Sequence, residues 1–196
     1  MIQKYTDHRK DIKTGDIILY RGHTLLSKGI QWLDKAYYNH AGVAYWIGER
    51  LFTIDANPEG VKLEAMSVRM EPYDDFCIIR VINYAIPDLR NACNNLMNRV
   101  EIDQTYGYLG CLRRIVYIKA GVNVEWINKK GLPVCSDIAR DFEVDMGVVS
   151  AKQMVLPTPQ DLLRYIDKDK CIVLWDDSPK EIPTTIAAVE AKSGNV

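Results

Sequence analysis

Two strand-like segments joined by a tight turn constrain the fold of this chain more than any other feature of its sequence. The residues from Ala41 to Ile47 alternate between two faces of a strand, and "LFTIDA" resumes this pattern after "GER". One face of the first strand carries His40, Gly42, Ala44 and Trp46. Such a pair of segments predicts an antiparallel β-hairpin.

The register of this hairpin decides which side chains meet. If the chain reverses at Gly48-Glu49, His40 lies opposite Asn57, and Asp55 lies one diagonal step away on the same face. Diagonal neighbours in a sheet are about 7–8 Å apart between backbones, a gap that an imidazole and a carboxylate can bridge. A three-residue turn would instead put Asp55 on the opposite face.

The remaining patterns predict a mixture of strands and helices. Strands are expected at "IILY", "VKLEAM", "FCIIRVI" and "KCIVLWDD", of which the third is the most buried. Helices are expected within "LLSKGIQWLDKAY", "PDLRNACNNLMNRV", "DQTYGYLGCLRRIVYI" and "LPTPQDLLRYI", and another begins close to Cys135. We therefore expect an α+β fold in which an antiparallel sheet or small barrel packs against helices.

Length and composition favour an ordinary globular protein. The 196 residues predict one domain over residues 1–177 and a poorly ordered polar tail over residues 178–196. The formal net charge of −1 lacks the basic excess of proteins that bind nucleic acids or anionic membranes. No apolar run approaches the roughly 20 residues of an integral membrane segment, and the polar start does not resemble a secretion signal. The expected location is cytoplasmic, although a mature secreted form without its signal would have the same sequence.

The spacing of the cysteines disfavours their common structural uses. The five are Cys77, Cys93, Cys111, Cys135 and Cys171, without a Cys-x-x-Cys pair or a histidine nearby in sequence. Neither a disulfide framework nor a zinc site fits this pattern, and we therefore expect no metal.

Cys135 lies where a thiolate would be stabilised. In "LPVCSDIAR" a proline-containing turn leads into the first turn of a helix, where backbone N–H groups lack partners and the helix dipole is positive. These groups favour a thiolate and suit the oxyanion of a tetrahedral intermediate. Cys135 is thus a candidate nucleophile. On this local pattern alone, a small buried residue at a helix start fits equally well.

A thiol nucleophile needs a base, and three histidines are present. His8 lies in the polar start, and His23 lies in a turn where nothing orients its ring. His40 is the best candidate, because strand alternation directs it and its small face-mates Gly42 and Ala44 leave open space beside it. The alternative is a packing role, which is common for a lone histidine on a strand.

Asp55 is the candidate acceptor for the ring of His40. Such an acceptor holds the tautomer of a catalytic histidine and stabilises its imidazolium. Ile54 and Ala56 are apolar, so a carboxylate between them is costly without a partner. The alternative is a solvent-exposed or turn-capping aspartate before the Asn-Pro pair.

Four segments occur in the order "TGDIILYRG", "NHAGVAY", "TIDANPEGV" and "PVCSDIA". This order resembles the circularly permuted branch of the NlpC-type papain-like cysteine hydrolases, the YiiX/YebB-like group, with lecithin:retinol acyltransferase-like proteins as more distant relatives. In that branch the histidine strand precedes the cysteine helix. The likeness extends from about Gly15 to Arg164 and implies a permuted papain-like fold.

The resemblance also implies roles for individual residues. Cys135 matches the family's nucleophile, and His40 matches its base. Asp55 lies where the family commonly has a glutamate, so the acceptor role shows the largest departure from the family pattern. Asp137 also replaces a glutamate, and its charge suits a helix start rather than chemistry.

Three tyrosines are candidate substrate-binding residues. Tyr106 lies in "DQTYGYLG", which resembles a family segment with an aromatic residue near the cleft. Packing beneath the helix of the nucleophile is the alternative for Tyr106. Tyr20 and Tyr38 are further candidates for lining the same cleft.

Together these residues predict a cysteine hydrolase that cleaves an amide bond through a Cys-His-Asp triad and an acyl-enzyme, without a metal or organic cofactor. By resemblance, the substrate is a small peptide or acyl-amide, such as a cell-wall peptide, another isopeptide-like amide or a lipid acyl group. The alternatives are an acyltransferase or lipid deacylase with the same Cys-His pair, a non-catalytic peptide-binding domain, and a metal site, for which the sequence offers no ligand spacing. The sequence leaves the oligomeric state open.

Overall fold

The protein has an α+β fold built on one antiparallel sheet. A computed structural model describes residues 2–22, 31, 36–71, 73, 75–120, 122 and 132–179. The strands within these ranges are β1 (Ile17–Tyr20), β2 (His40–Ile47), β3 (Arg50–Asn57), β4 (Gly60–Ala65), β5 (Phe76–Val81) and β6 (Cys171–Asp176). The helices are α1 (Ile2–His8), α2 (Met66–Arg69), α3 (Ile86–Glu101), α4 (Tyr108–Ala120), α5 (Cys135–Asp145), α6 (Val149–Gln153) and α7 (Pro159–Arg164).

The sheet is open rather than closed into a barrel. Its strand order is β4-β3-β2-β1-β5-β6, and neighbouring strands are antiparallel. The sequence allowed either an antiparallel sheet or a small barrel. The described strands form the sheet, with β4 and β6 at its edges. The strand β5 is buried over most of its length, but the prediction that it is the most buried strand is wrong, because β1 is buried at every residue.

The predicted hairpin and its register are confirmed. Ile47 pairs with Arg50, and Val43 pairs with Ile54. The chain reverses at Gly48, whose φ of 58° is accessible to glycine at little cost. Asp55 therefore lies on the face of the sheet that carries His40.

The predicted helices at α3, α4, α5 and α7 are confirmed, whereas α1, α2 and α6 are not among the expected elements. Each of these three has at most seven residues, too few to give a clear helical period. Residues 23–30 and 32–35 lie outside the described residues, and with them His23 and most of the helix expected within "LLSKGIQWLDKAY". The tail from residue 180 onward also lies outside the described residues. Within the described ranges, no helix has both the length and the apolar character that crossing a membrane requires.

Apolar clusters cover both faces of the central strands of the sheet, whereas the edge strand β6 is largely exposed. On one face, Val43 and Ile54 pack with Ile138 and Phe142 of α5 in a core that also includes α3. The other face carries a second cluster of apolar side chains, which Tyr5 of α1 and Met66 of α2 help to cover. Because α5 packs against β2 and β3, its first turn lies near the start of β2.

Candidate functional site

The predicted nucleophile, base and acceptor meet at the end of the sheet where β2 begins. His40 is the first residue of β2, and Cys135 is the first residue of α5. The Nε2 atom of His40 lies 3.0 Å from Oδ2 of Asp55. The Cys135 thiol lies beside the His40 side chain and the backbone N–H of Ala41, and both groups interact electrostatically with it. The fold thus brings together groups that are distant in sequence.

The start of α5 is held by several hydrogen bonds. The N–H of Val134 donates to Oδ2 of Asp137 at 3.0 Å, and Asp137 is also paired with Arg114. The hydroxyl of Ser136 donates to the Pro157 carbonyl at 2.7 Å. Asp137 therefore has the helix-start role that its position predicts. Its contacts keep the first turn, and with it Cys135, in a defined position.

The sequence suggested that Gly42 leaves open space beside His40, but the structure shows that this space is filled. A Cβ atom on Gly42 would lie 3.1 Å from Cβ of Asp55 and closer still to the Thr53 hydroxyl. The small residue is needed because side chains of β3 occupy the space above it. Gly42 thereby lets Asp55 reach the imidazole.

The electrostatics of the Cys135–His40 pair favour a thiolate beside an imidazolium. Burial alone would raise the pKa of Cys135, but the charge and hydrogen bond of His40 and the N–H of Ala41 outweigh it and lower the pKa below its usual value. Burial alone would lower the pKa of His40, but the Cys135 thiolate and the Asp55 carboxylate outweigh it and raise the pKa well above its usual value. Each partner therefore stabilises the charged form of the other.

Asp55 is fully buried and makes its hydrogen bonds through one oxygen. Its side chain has 0% exposure, and Oδ2 contacts both His40 and Arg69. Among the described residues, Oδ1 accepts no hydrogen bond. The position is not solvent-exposed, so the alternative of an exposed turn aspartate is excluded.

Arg69 belongs to the same cluster, although the sequence does not reveal it. Its Nε donates to Oδ2 of Asp55 at 2.7 Å, and one of its terminal nitrogens lies 2.8 Å from Nε2 of His40. Arg69 comes from α2, which follows β4 in a stretch that reads as a charged loop. The sequence feature that pointed to such a residue is the carboxylate of Asp55 between apolar neighbours, because a buried carboxylate needs a partner. This feature does not identify which residue is that partner.

The three candidate substrate-binding tyrosines are buried. Tyr106 is 8% exposed, its hydroxyl lies 3.2 Å from the Cys111 sulfur, and that hydroxyl interacts electrostatically with Cys135. This position agrees with packing next to the start of α5.

Tyr20 and Tyr38 have no exposed surface with which to contact a substrate. The ring of Tyr20 lies 5.7 Å from that of His40, and its hydroxyl contacts the Thr53 hydroxyl at 3.2 Å. The Tyr38 hydroxyl donates to Asp176 of β6 at 2.6 Å. Strand alternation predicts the direction of such side chains but not the elements that cover them.

The other cysteines lack the environment of Cys135. Burial raises the pKa of Cys93 to about 11 and that of Cys171 to about 12, and it also raises the pKa values of Cys77 and Cys111. In the part of the chain that the structure describes, no group of His, Cys, Asp and Glu side chains could hold a metal ion. Cys135 is the best candidate for reactivity among these thiols.

Comparison with known proteins gives a structural match but no sequence match. No family model matches the chain, and no curated protein matches it. The crystal structure of the metalloprotein yiiX from Escherichia coli O157:H7 matches with a TM-score of 0.49 and 13% sequence identity. The match covers 85% of this chain and 98% of yiiX.

Proposed function

We propose that this protein is a cysteine hydrolase that cleaves an amide bond through Cys135, His40 and Asp55. The observation that carries this proposal is the thiol at a helix N-terminus beside an imidazole that is hydrogen-bonded to a buried carboxylate. A nucleophile, its base and an acceptor for that base form the arrangement that covalent acyl transfer requires. The order of the histidine strand and the cysteine helix also supports our proposal that the fold is of the permuted papain-like type.

In the first half of the reaction, the Cys135 thiolate attacks the carbonyl carbon of the amide and forms a C–S bond. The N–H groups of Cys135 and Ser136 have no acceptor within the helix, and we assign them to stabilise the oxyanion. The C–N bond then breaks, and the imidazolium of His40 gives its proton to the leaving nitrogen. The products are a free amine and a thioester on Cys135.

In the second half, water attacks the thioester while neutral His40 accepts a proton from it. The C–S bond breaks, the acid product leaves, and the thiolate–imidazolium pair is restored. We assign to Nε2 of His40 the proton in the contact with Oδ2 of Asp55, which leaves the other ring nitrogen to exchange protons with the sulfur, the leaving nitrogen and the attacking water. No metal or organic cofactor takes part in this sequence of steps.

Alkylation with iodoacetamide across pH tests the proposed nucleophile. We expect Cys135 to react much faster than the other cysteines below pH 7, and we expect His40→Ala to slow it by about tenfold or more. Peptide mapping by mass spectrometry identifies the alkylated residue. Cys111→Ala is the matched control, because it removes a neighbouring thiol and leaves the proposed pair in place. Slow and uniform labelling of all cysteines would favour a non-catalytic peptide-binding domain and overturn the proposal.

Product analysis then separates hydrolysis from acyl transfer. The protein is incubated with short peptide and acyl p-nitroanilides, with and without hydroxylamine as an alternative nucleophile. A hydrolase releases p-nitroaniline and free acid in water alone, and Cys135→Ala abolishes the release. Release that requires an added amine or alcohol would indicate an acyltransferase with the same Cys-His pair. Activity that survives Cys135→Ala would contradict the assigned nucleophile.

A further inference from the structure

Arg69 and His40 share one oxygen of a buried carboxylate. The Nε of Arg69 donates to Oδ2 of Asp55 at 2.7 Å, and Nε2 of His40 lies 3.0 Å from the same oxygen. A terminal nitrogen of Arg69 also lies 2.8 Å from Nε2 of His40. The Arg69 side chain is only 14% exposed, so this is a largely buried contact. Arg69, Asp55 and His40 are therefore in mutual contact.

The charges of this cluster explain why a second cation is needed. The proposed function requires an ionised Cys135, which is 7% exposed, next to Asp55, which has 0% exposure. One imidazolium balances only one of these two anions. An uncompensated buried charge is costly, and a group that bears one tends to take up or release a proton instead. With Arg69 present, the two acids and two bases carry no net charge when all four are ionised.

We propose that Arg69 is a positioning residue of the Cys135–His40 pair: it holds Asp55 against the imidazole and supplies the second positive charge that a buried thiolate and a buried carboxylate together require. This inference rests on the proposed function, because it concerns the state of the same nucleophile. It assigns Arg69 no contact with a substrate. The residue acts through Asp55 and through the charge balance of the cluster.

Other charged or titratable groups also face this cluster. Arg114 lies near Cys135 and favours its thiolate, but its guanidinium is paired with Asp137 at 2.5 Å. Glu64 lies 3.6 Å from Arg69 and is 36% exposed, so water screens its charge. Arg114 and Glu64 thus leave the buried thiolate and carboxylate dependent on His40 and Arg69.

The remaining titratable neighbours are uncharged when they carry their protons. Tyr73 stacks on His40 with ring centroids 6.1 Å apart, and the ring centroid of Tyr20 lies 5.7 Å from that of His40. Tyr106 and Cys111 lie near Cys135, and burial raises the pKa values of both. They therefore add no positive charge that could replace Arg69.

The experiment measures the pH midpoint of Cys135 alkylation by iodoacetamide in the full chain. Without Arg69 the ionised cluster carries one excess negative charge, and the thiol keeps its proton to higher pH. We expect Arg69→Gln to move the midpoint upward by about one pH unit or more, which slows alkylation about tenfold below the midpoint. Arg69→Lys keeps the charge and should stay closer to the native midpoint. Glu64→Gln is the matched control and should leave the midpoint unchanged.

A charge-neutral double variant separates the charge effect from a loss of folding. Asp55→Asn combined with Arg69→Gln removes one negative and one positive charge, and it should reverse most of the shift seen in Arg69→Gln. Circular dichroism and thermal melting show which variants are folded. If Arg69→Gln does not fold, the lysine variant and the double variant are compared with the native protein instead: both should keep a midpoint close to the native one, and a rise of about one pH unit or more in either would overturn the proposal.

Three results would overturn the proposal: an unchanged midpoint in Arg69→Gln, a shift in Arg69→Lys as large as that in Arg69→Gln, or no reversal in the double variant. Alkylation of the native protein tests the proposed function separately. Fast alkylation of native Cys135 with no effect of Arg69→Gln removes only the role of Arg69. Slow alkylation of native Cys135 removes the proposed function itself.

Discussion

Replacing Glu143 with glutamine is expected to remove a large part of the pH dependence of stability. Glu143 lies on the core side of α5, the helix that begins with Cys135, and it is 2% exposed. Among the described residues, its Oε2 atom has no hydrogen-bond partner. Burial, together with the negative charge of Asp167, raises the pKa of Glu143 to about 8. The folded protein therefore keeps this carboxyl protonated at neutral pH.

The sign and size of the effect follow from proton linkage. The pKa is raised from 4.5 to about 8 on folding, so the contribution of Glu143 to stability is complete below the lower value and is lost as the pH rises through the upper one. Between these values the folded state binds one more proton than the unfolded state. Stability then falls by about 1.4 kcal/mol per pH unit. From about pH 5.5 to about pH 7.5, this loss amounts to about 3 kcal/mol.

Urea unfolding of the native protein and of Glu143→Gln at both pH values measures this contribution. The free energy of unfolding of the variant, minus that of the native protein, should rise by about 3 kcal/mol between the lower and the higher pH. Any packing or hydrogen-bond cost of the amide is the same at both pH values and cancels in this comparison. Glu101→Gln, on the exposed surface of α3, controls for the loss of a carboxylate outside the core. Parallel stability profiles for the native protein and Glu143→Gln would refute the assignment of Glu143 as a buried neutral acid.

Two further substitutions test the packing around the site. Gly42→Ala should destabilise the protein by about 1–3 kcal/mol and slow the alkylation of Cys135, because the added Cβ would overlap the Thr53 hydroxyl and press against Asp55. Native stability together with native alkylation would contradict this reason. Tyr38→Phe removes the hydroxyl that donates to the Asp176 carboxylate and accepts from the Asp177 N–H. This change should cost about 1–3 kcal/mol in urea unfolding while the alkylation rate of Cys135 stays native. Slower alkylation of Cys135 at unchanged stability would instead support the predicted role of Tyr38 in the site.

The meeting of His40 and Asp55 is predictable from the sequence because it depends on local geometry. Strand alternation fixes which residues share a face, and the turn at Gly48 sets which residue of β3 lies across from β2. The position of Cys135 at a helix start is local in the same sense, since the proline turn and the helical period after it are read directly from the chain. The distance between Cys135 and His40 does not follow from local sequence patterns. It depends on how α5 packs on the sheet.

Arg69 and the tyrosines illustrate the opposite case. Arg69 lies on a helix of four residues, and the approach of that helix to Asp55 depends on the packing of α2 beside β3. Tyr20 has the direction that strand alternation predicts, but residues of the short helices α1 and α2 help to bury it. Helices of that length give little periodic signal in the sequence. A pattern of period two or 3.6 reports which face a side chain joins, not what covers that face.

The sequence by itself determined the strands, the longer helices and the hairpin register, because each follows from periodicity and turn chemistry within a few neighbouring residues. Only the tertiary structure decided that Arg69 joins Asp55 and His40, that the space above Gly42 is filled, and that Tyr20 and Tyr38 have no exposed surface. The physical reason is that burial and charge pairing depend on contacts between segments distant in the chain. Those contacts are set by the packing of the whole molecule.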